Sequence, residues 1–162
     1  MADNRRTKHL IFFTKQMNYH KFFNEDKPSE SVQTNDSASS DLLKKRILSV
    51  EDDADSRELL EFVLADYELV FAGSVSEATR LFESENFHLC LLDNRLSDGA
   101  GIDLCSKIRA FNQTVPIVFA SGVAHKKDIQ KALDAGAQSY LVKPYFPEEL
   151  QKVVKELIEQ TV

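Results

Sequence analysis

Cysteine is scarce in this chain. Cys90 and Cys105 are the only two, and they form no CxxC pair, which excludes a dithiol redox motif and a zinc site built on cysteines. Cys90 lies in the apolar run Leu89–Leu92, where a thiol acts as a small hydrophobe. Two free thiols in a reducing compartment are the plainer reading. Long apolar runs are missing too: none approaches the ~20 residues that cross a bilayer. The stretch Leu10–Phe13 is too short for a signal-peptide core, and no small-residue cleavage site follows it. The expected location is therefore the cytoplasm. Positive charge is in deficit, with 20 Lys and Arg against 26 Asp and Glu. Residues 1–41 hold six basic and six acidic side chains, so the net −6 falls wholly on residues 42–162. Such an acidic domain suits direct nucleic-acid binding poorly, because that binding neutralises phosphates with Lys and Arg.

What is present divides the chain. Residues 1–24 are basic and aromatic, with Arg5, Arg6, Lys8, Lys15 and Lys21 among Phe12, Phe13, Tyr19, Phe22 and Phe23. Residues 25–41 hold five serines, scattered acids and Pro28, a linker composition. The expectation is a disordered tail over 1–41, with Met17 as an alternative start, and one folded domain over 42–162. From Lys44 onward apolar strand-like runs alternate with helical spacing. Strands are expected at Arg46–Val50, Glu68–Ala72, Phe87–Leu92, Pro116–Ala120 and Ser139–Val142. Helices are expected at Ala54–Asp66, Ser76–Glu85, Ile102–Phe111, Lys126–Ala135 and Pro147–Glu159. Strands that are apolar throughout belong to a parallel sheet covered by helices on both faces, and right-handed crossovers make that sheet doubly wound. Ligands in such folds bind beyond the carboxyl ends of the strands.

The residues at those ends can handle phosphate or a hard cation. Glu51, Asp52 and Asp53 follow the first strand, Asp93 the third, Ser121 the fourth, and Lys143-Pro144 the fifth. Converging carboxylates raise one another's pKa values unless a cation relieves them, and oxygen-only ligands with room for water suit Mg²⁺. A carboxylate can act as a nucleophile toward phosphorus, with an ammonium and a hydroxyl as donors to the phosphoryl oxygens. Taken singly, each residue has a duller explanation. The acidic triplet could cap a helix, Ser121-Gly122 could be a turn, and Lys143 could be a surface lysine. Their order at matching strand ends is what carries the chemical reading.

With those residues in view, the chain resembles the response-regulator receivers of two-component signalling over about residues 44–160. The stretch RILSVEDD (46–53) resembles the family's first strand and acid pair, and LLDNRLSDGAG (91–101) its phosphoacceptor loop. PIVFASG (116–122) and YLVKP (140–144) resemble its fourth and fifth strands. The resemblance implies a CheY-like, flavodoxin-like sheet of strand order 2-1-3-4-5 with five helices. It implies Asp93 as phosphoacceptor, and Mg²⁺ held by Asp52, Asp93, the backbone carbonyl of Arg95 and Glu51, either directly or through water. Asp53 is the register alternative. It further implies Ser121 as the switch hydroxyl, Lys143 as the phosphate's ion-pair partner in a cis Lys143–Pro144 bond, and Tyr140 as the switch aromatic. The phosphodonor would be a sensor histidine kinase or a histidine phosphotransfer protein. Phosphorylation would draw Ser121 inward, let Tyr140 follow, and alter the face built from residues 126–159, where a protein target or a second copy binds. Ser97 replaces the usual loop proline, Ser121 the commoner Thr and Gly122 the commoner Ala. Arg95 and Val123 fall where the family tunes acyl-phosphate hydrolysis.

Other functions fit less well. An Asp-nucleophile phosphatase needs a second Asp two residues on, and Arg95 stands there, so no turnover of outside substrates is expected. The GAG at 99–101 lacks the third glycine of a dinucleotide loop and sits in the wrong unit. No GxxxxGK[ST] loop or GxSxG elbow occurs, and His9, His20, His88 and His125 lack ligand spacing. His88 is expected to be a packed core or edge histidine. A phosphorylation-independent binding module of the same fold is the alternative. A DNA-binding regulator ranks lower, because residues 1–41 show no helix-turn-helix pattern and the chain stops just after the last helix.

Overall fold

A computed structural model describes residues 44–161; the expected tail over 1–41 and the Met17 alternative lie outside them. The elements, in chain order, are β1 (Arg46–Val50), α1 (Ala54–Val63), β2 (Glu68–Ala72), α2 (Val75–Ser84), β3 (Leu89–Leu92), β4 (Arg95–Leu96), β5 (Gly99–Ala100), α3 (Gly101–Phe111), β6 (Ile117–Ser121), α4 (Lys126–Asp134), β7 (Ser139–Val142) and α5 (Pro147–Glu159). Five of the strands form one parallel sheet in the order β2-β1-β3-β6-β7. Numbered within that sheet alone, the order is the expected 2-1-3-4-5. Among the described residues no helix is long and apolar enough to cross a membrane.

Alternation along the strands sends side chains to two cores. Leu48, Val50, Cys90, Leu92, Ile117 and Phe119 pack with Ala78, Leu104, Cys105, Ile108 and Ala132 from α2, α3 and α4. Ile47, Leu89, Leu91, Val118, Ala120 and Leu141 pack with Leu60, Val63, Leu150, Val154 and Ile158 from α1 and α5. Both faces of the sheet are thus covered, as the uninterrupted apolar runs require. Both cysteines are buried and free.

Four expectations are corrected in detail. The loop after Asp93 contains a short antiparallel hairpin, β4 with β5, which two-residue strands cannot announce in a hydropathy pattern. β3 starts at Leu89 rather than Phe87. The Phe87 ring stacks on Phe82 and takes the Arg46 guanidinium 5.2 Å from its centroid, so it serves side-chain contacts below the strand. His88 is exposed rather than packed, and its Nδ1 accepts the Arg46 N–H at 3.0 Å. α1 stops at Val63 instead of Asp66: the Leu64 N–H still reaches the Leu60 carbonyl, but the chain then turns into β2.

Helix starts explain several loop residues. Asp53 caps α1, its carboxylate accepting the Ser56 N–H at 2.8 Å, and Ser74 caps α2 by accepting from the Glu77 N–H. Asp98, in the hairpin turn, accepts the Val75 and Ser76 N–H groups and the Ser76 hydroxyl, tying the loop to the α2 N-terminus. These bonds hold its carboxyl down at about 2. α5 opens on Pro147, but Phe146 at its cap position offers no side-chain acceptor.

Candidate functional site

The carboxyl ends of β1, β3, β6 and β7 bring four side chains together. The ladder runs on past the strand ends, with the Asp93 N–H on the Val50 carbonyl and the Lys143 N–H on the Ser121 carbonyl, both at 2.9 Å. Adjacent strands therefore deliver Glu51, Asp93, Ser121 and Lys143 at one level. The Lys143 Nζ lies 2.5 Å from Glu51 Oε2 and 3.0 Å from Asp93 Oδ2. Asp93 Oδ1 accepts the Ser121 hydroxyl at 2.8 Å and the Arg95 N–H at 3.0 Å. Glu51 Oε1 accepts the Asp53 N–H at 3.2 Å. The Lys143–Pro144 peptide is cis.

Burial decides the electrostatics. Glu51 is 4% exposed and Ser121 fully buried. Loss of water pushes the Glu51 carboxyl above its ordinary value, and the Lys143 ammonium only partly offsets it. Burial is also the largest influence on Lys143, but Glu51 and Asp93 together outweigh it and raise its pKa, so the ammonium stays charged. Behind the cluster, burial lifts the Tyr145 hydroxyl to about 12.

The loop after Asp93 is held by close packing at Gly101. A Cβ there would meet the Asp93 carbonyl oxygen at 2.2 Å and Phe119 Cε1 at 3.0 Å. Asn94, next to Asp93, has its side-chain Oδ1 buried with no hydrogen-bond partner.

The sequence model of the response regulator receiver domain matches residues 47–155. The chain belongs to that family. Its receiver is 32% identical over 120 residues to the probable transcriptional regulator ycf27 of Cyanophora paradoxa, covering 73% of this chain and 50% of that protein. It is 36% identical over 113 residues to the response regulator protein PilR of Pseudomonas aeruginosa, covering 68% of this chain and 25% of that protein. The chain therefore spans half or less of these curated relatives. Among solved structures it resembles the CheY-like receiver domain protein of Methanospirillum hungatei, with TM-score 0.70 and 30% identity, covering 73% of this chain and 96% of that one. It also resembles the non-phosphorylated HemR receiver domain of Leptospira biflexa, with TM-score 0.67 and 32% identity, covering 71% and 94%.

Receiver domains generally bind Mg²⁺ at the phosphorylation site, and the donor set of this one can be tested against that ion. Glu51, Asp52 and Asp93 offer carboxylates against the single ammonium of Lys143, and the backbone of Arg95 adds a carbonyl. An oxygen-only, anionic set of this kind fits Mg²⁺, which keeps several waters and takes one or two carboxylates. It is not a finished cage: among the described residues no three acidic, imidazole or thiol side chains are gathered closely enough to enclose a metal. Asp52 stands exposed at the mouth, while Asp53 serves as the α1 cap.

Tyr140 and Ser121 both meet the backbone of Val123. The Tyr140 hydroxyl donates to the Val123 carbonyl at 2.7 Å, and its ring stacks on Phe119 with centroids 5.7 Å apart. The Val123 N–H in turn points to Ser121 Oγ at 3.4 Å. The sequence expectation concerned movement of Ser121 toward a phosphoryl group; in the unmodified chain its hydroxyl already donates to Asp93 Oδ1. Two neighbours of the site were missed. The Arg57 Nε donates to the Glu51 carbonyl at 2.6 Å, and Tyr145 stands half-buried near Lys143. Arg57 carried no signal in the sequence beyond its place on α1, whereas Tyr145, two residues after Lys143, was within reach of the motif.

Proposed function

We propose that this receiver accepts a phosphoryl group on Asp93 from the phosphohistidine of a sensor kinase or a histidine phosphotransfer protein, with Mg²⁺ present, in two-component signalling. The observation that carries the reading is the Lys143 ammonium lodged between the Glu51 and Asp93 carboxylates, with the Ser121 hydroxyl on the other oxygen of Asp93. In the transfer, an Asp93 carboxylate oxygen forms a bond to phosphorus as the bond from phosphorus to the donor's imidazole nitrogen breaks. The bonding pair leaves on that imidazole, which is left to take up a proton. Lys143, with its Nζ 3.0 Å from Asp93 Oδ2, stands ready for the phosphoryl oxygens. Ser121 supplies a hydroxyl donor. Glu51, Asp52, Asp93 and the Arg95 carbonyl would hold Mg²⁺, which supplies charge neutralisation for the transferring group. Autodephosphorylation reverses the modification, and no outside substrate is turned over.

Residues 42–162 are the working unit in this reading, in the cytoplasm, and residues 1–41 supply none of its site groups. The output face is the surface of α4, β7 and α5, the binding place for a separate protein or a second copy. Tyr140 on β7 is linked to it through the hydrogen bonds that end on Asp93. The relatives named as transcriptional regulators extend well beyond the matched part, so their output is not carried over to this chain. A phosphorylation-independent module of the same fold is the alternative, favoured by one observation: the bond from Ser121 to Asp93 exists before any phosphate is added.

The test is intact-mass measurement after incubation with a small acyl-phosphate donor. One phosphoryl group per chain is expected with Mg²⁺, and none after chelation or in Asp93→Asn. Normal phosphorylation of Asp93→Asn would overturn the assignment. A wild-type chain that takes up no phosphate, yet binds its partner fully, would favour the alternative.

A further inference from the structure

We propose that Arg57 is a positioning residue for the cation side of this site: its guanidinium fixes the Glu51–Asp52 peptide, and residue 73 is glycine so that the guanidinium has room. The inference rests on the Mg²⁺ reading above and adds two residues to it.

Three observations converge on Arg57. Its Nε donates to the Glu51 carbonyl at 2.6 Å, a short hydrogen bond from α1 to the acidic loop. Its guanidinium carbon lies 5.7 Å from the centroid of the Phe71 ring on β2, a cation–π distance. A Cβ on residue 73 would stand 2.8 Å from Arg57 Nη2. The glycine is not there for its backbone, since Gly136 is the glycine with a positive φ among the described residues. Space is the remaining constraint, and the guanidinium fills it. None of the ion pairs among the described residues involves Arg57. Its partners are a backbone oxygen and an aromatic face.

The consequence for the site is geometric. Glu51 is gripped on both sides, its N–H on the Ala72 carbonyl at 3.0 Å and its carbonyl under Arg57. The gripped carbonyl belongs to the peptide that leads into Asp52, so its orientation sets the direction in which Asp52 leaves the backbone. Asp52 is exposed. With the peptide free to rotate, an exposed carboxylate would spend its time in many orientations. Holding the peptide removes that entropy cost from cation binding, as outer groups do for metal ligands. Arg is suited because its planar fork donates and stacks at once, which an ammonium does only in part.

The experiment titrates the unphosphorylated chain with MgCl₂ and follows the amide NMR shifts of residues 50–53 and 93–95. Arg57→Ala should weaken Mg²⁺ by about tenfold, the lower end of what loss of an outer partner costs. Arg57→Lys should recover part of the loss. Gly73→Ala should weaken Mg²⁺ by pushing the guanidinium aside, and should add nothing in the Arg57→Ala background, since coupled sites are non-additive. Wild-type affinity in Arg57→Ala overturns the inference. So does a Gly73→Ala effect of equal size with and without Arg57. Should Arg57→Ala fail to fold, the comparison of Arg57→Lys with Gly73→Ala decides: wild-type affinity in both overturns the inference. A wild-type chain that binds no Mg²⁺ overturns instead the reading of the site itself, a result distinguishable from the others.

Discussion

Replacing Lys143 with methionine removes the one ammonium between two carboxylates while keeping most of the apolar stem, and its cost should depend on pH in a calculable way. Glu51 would remain 4% exposed, with the Asp53 N–H at 3.2 Å still donating to it. Leaving a buried charge without its partner costs about 3–5 kcal/mol, but the carboxyl can escape by taking a proton. Starting from an ordinary carboxyl at 4.5, protonation at pH 7 costs about 3.4 kcal/mol and at pH 5 about 0.7 kcal/mol, at ~1.36 kcal/mol per unit. The cheaper route wins, so these figures cap the loss due to Glu51.

The sign follows from the folded state holding its proton more tightly than the unfolded chain. A carboxyl raised by burial makes stability fall as pH rises from its ordinary value toward its folded value. Lys143 itself is raised above 10.5, so between pH 5 and 7 the wild-type ammonium is fully charged and contributes a constant. Lys143→Met should therefore lose about 2–3 kcal/mol at pH 7 and less than about 1 kcal/mol at pH 5. Urea unfolding at both pH values measures this, and with a slope of about 1–3 kcal/mol per molar the midpoint should drop by roughly 1–2 M at pH 7. Glu51→Gln combined with Lys143→Met should remove most of the pH dependence. A loss of equal size at pH 5 and pH 7 would refute the claim that an uncompensated Glu51 is its source.

Two further outcomes follow from packing and capping. Phe146→Ser should stabilise the fold by about 1 kcal/mol, because it places a hydroxyl acceptor at the cap of α5 and removes a ring that is 66% exposed; an unchanged or lower urea midpoint would contradict this. Gly101→Ala should cost about 3 kcal/mol or more, since its Cβ would lie 2.2 Å from the Asp93 carbonyl oxygen and the relief must come from backbone; wild-type stability together with wild-type phosphorylation would show that the loop yields freely.

Much of the fold was legible because parallel strands advertise themselves. Runs such as Leu89–Leu92 and Ile117–Ser121 are buried at every position, and only a sheet covered on both faces uses such runs. The strand order followed from the family resemblance, and the two cores confirm how the alternation divides the residues. The hairpin of Arg95–Leu96 with Gly99–Ala100 was not legible, since two residues establish no period. The α1 overrun came from Leu64, which is 1% exposed: it looks helical in the pattern but packs from the turn that follows the helix. His88 misled in the same way, alternating with apolar neighbours while its imidazole served the Arg46 backbone.

For the site, topology explains what could be read and what could not. In a parallel sheet the carboxyl ends of neighbouring strands lie side by side, so residues far apart in sequence, such as Glu51 and Lys143, converge once the strands are placed. Spacing along the chain then becomes proximity in space, and side-chain type is enough to propose chemistry. The acidic triplet could not be resolved in this way. Its three carboxyls share one loop, and the structure separates them by role: Glu51 is buried on Lys143, Asp52 is exposed, and Asp53 caps α1. That separation depends on the loop's backbone, and the group that grips the backbone is Arg57, six residues on. A contact from a side chain to a carbonyl leaves no mark at its acceptor, because every residue offers the same carbonyl. The only trace lies at a third place, residue 73, where a missing side chain makes room for the guanidinium. Recognising it requires knowing that β2 ends beside β1 and that α1 folds back over both. Groups that act through their own chemistry can thus be found from sequence and topology, whereas groups that act by holding the backbone become visible only when the backbone is seen.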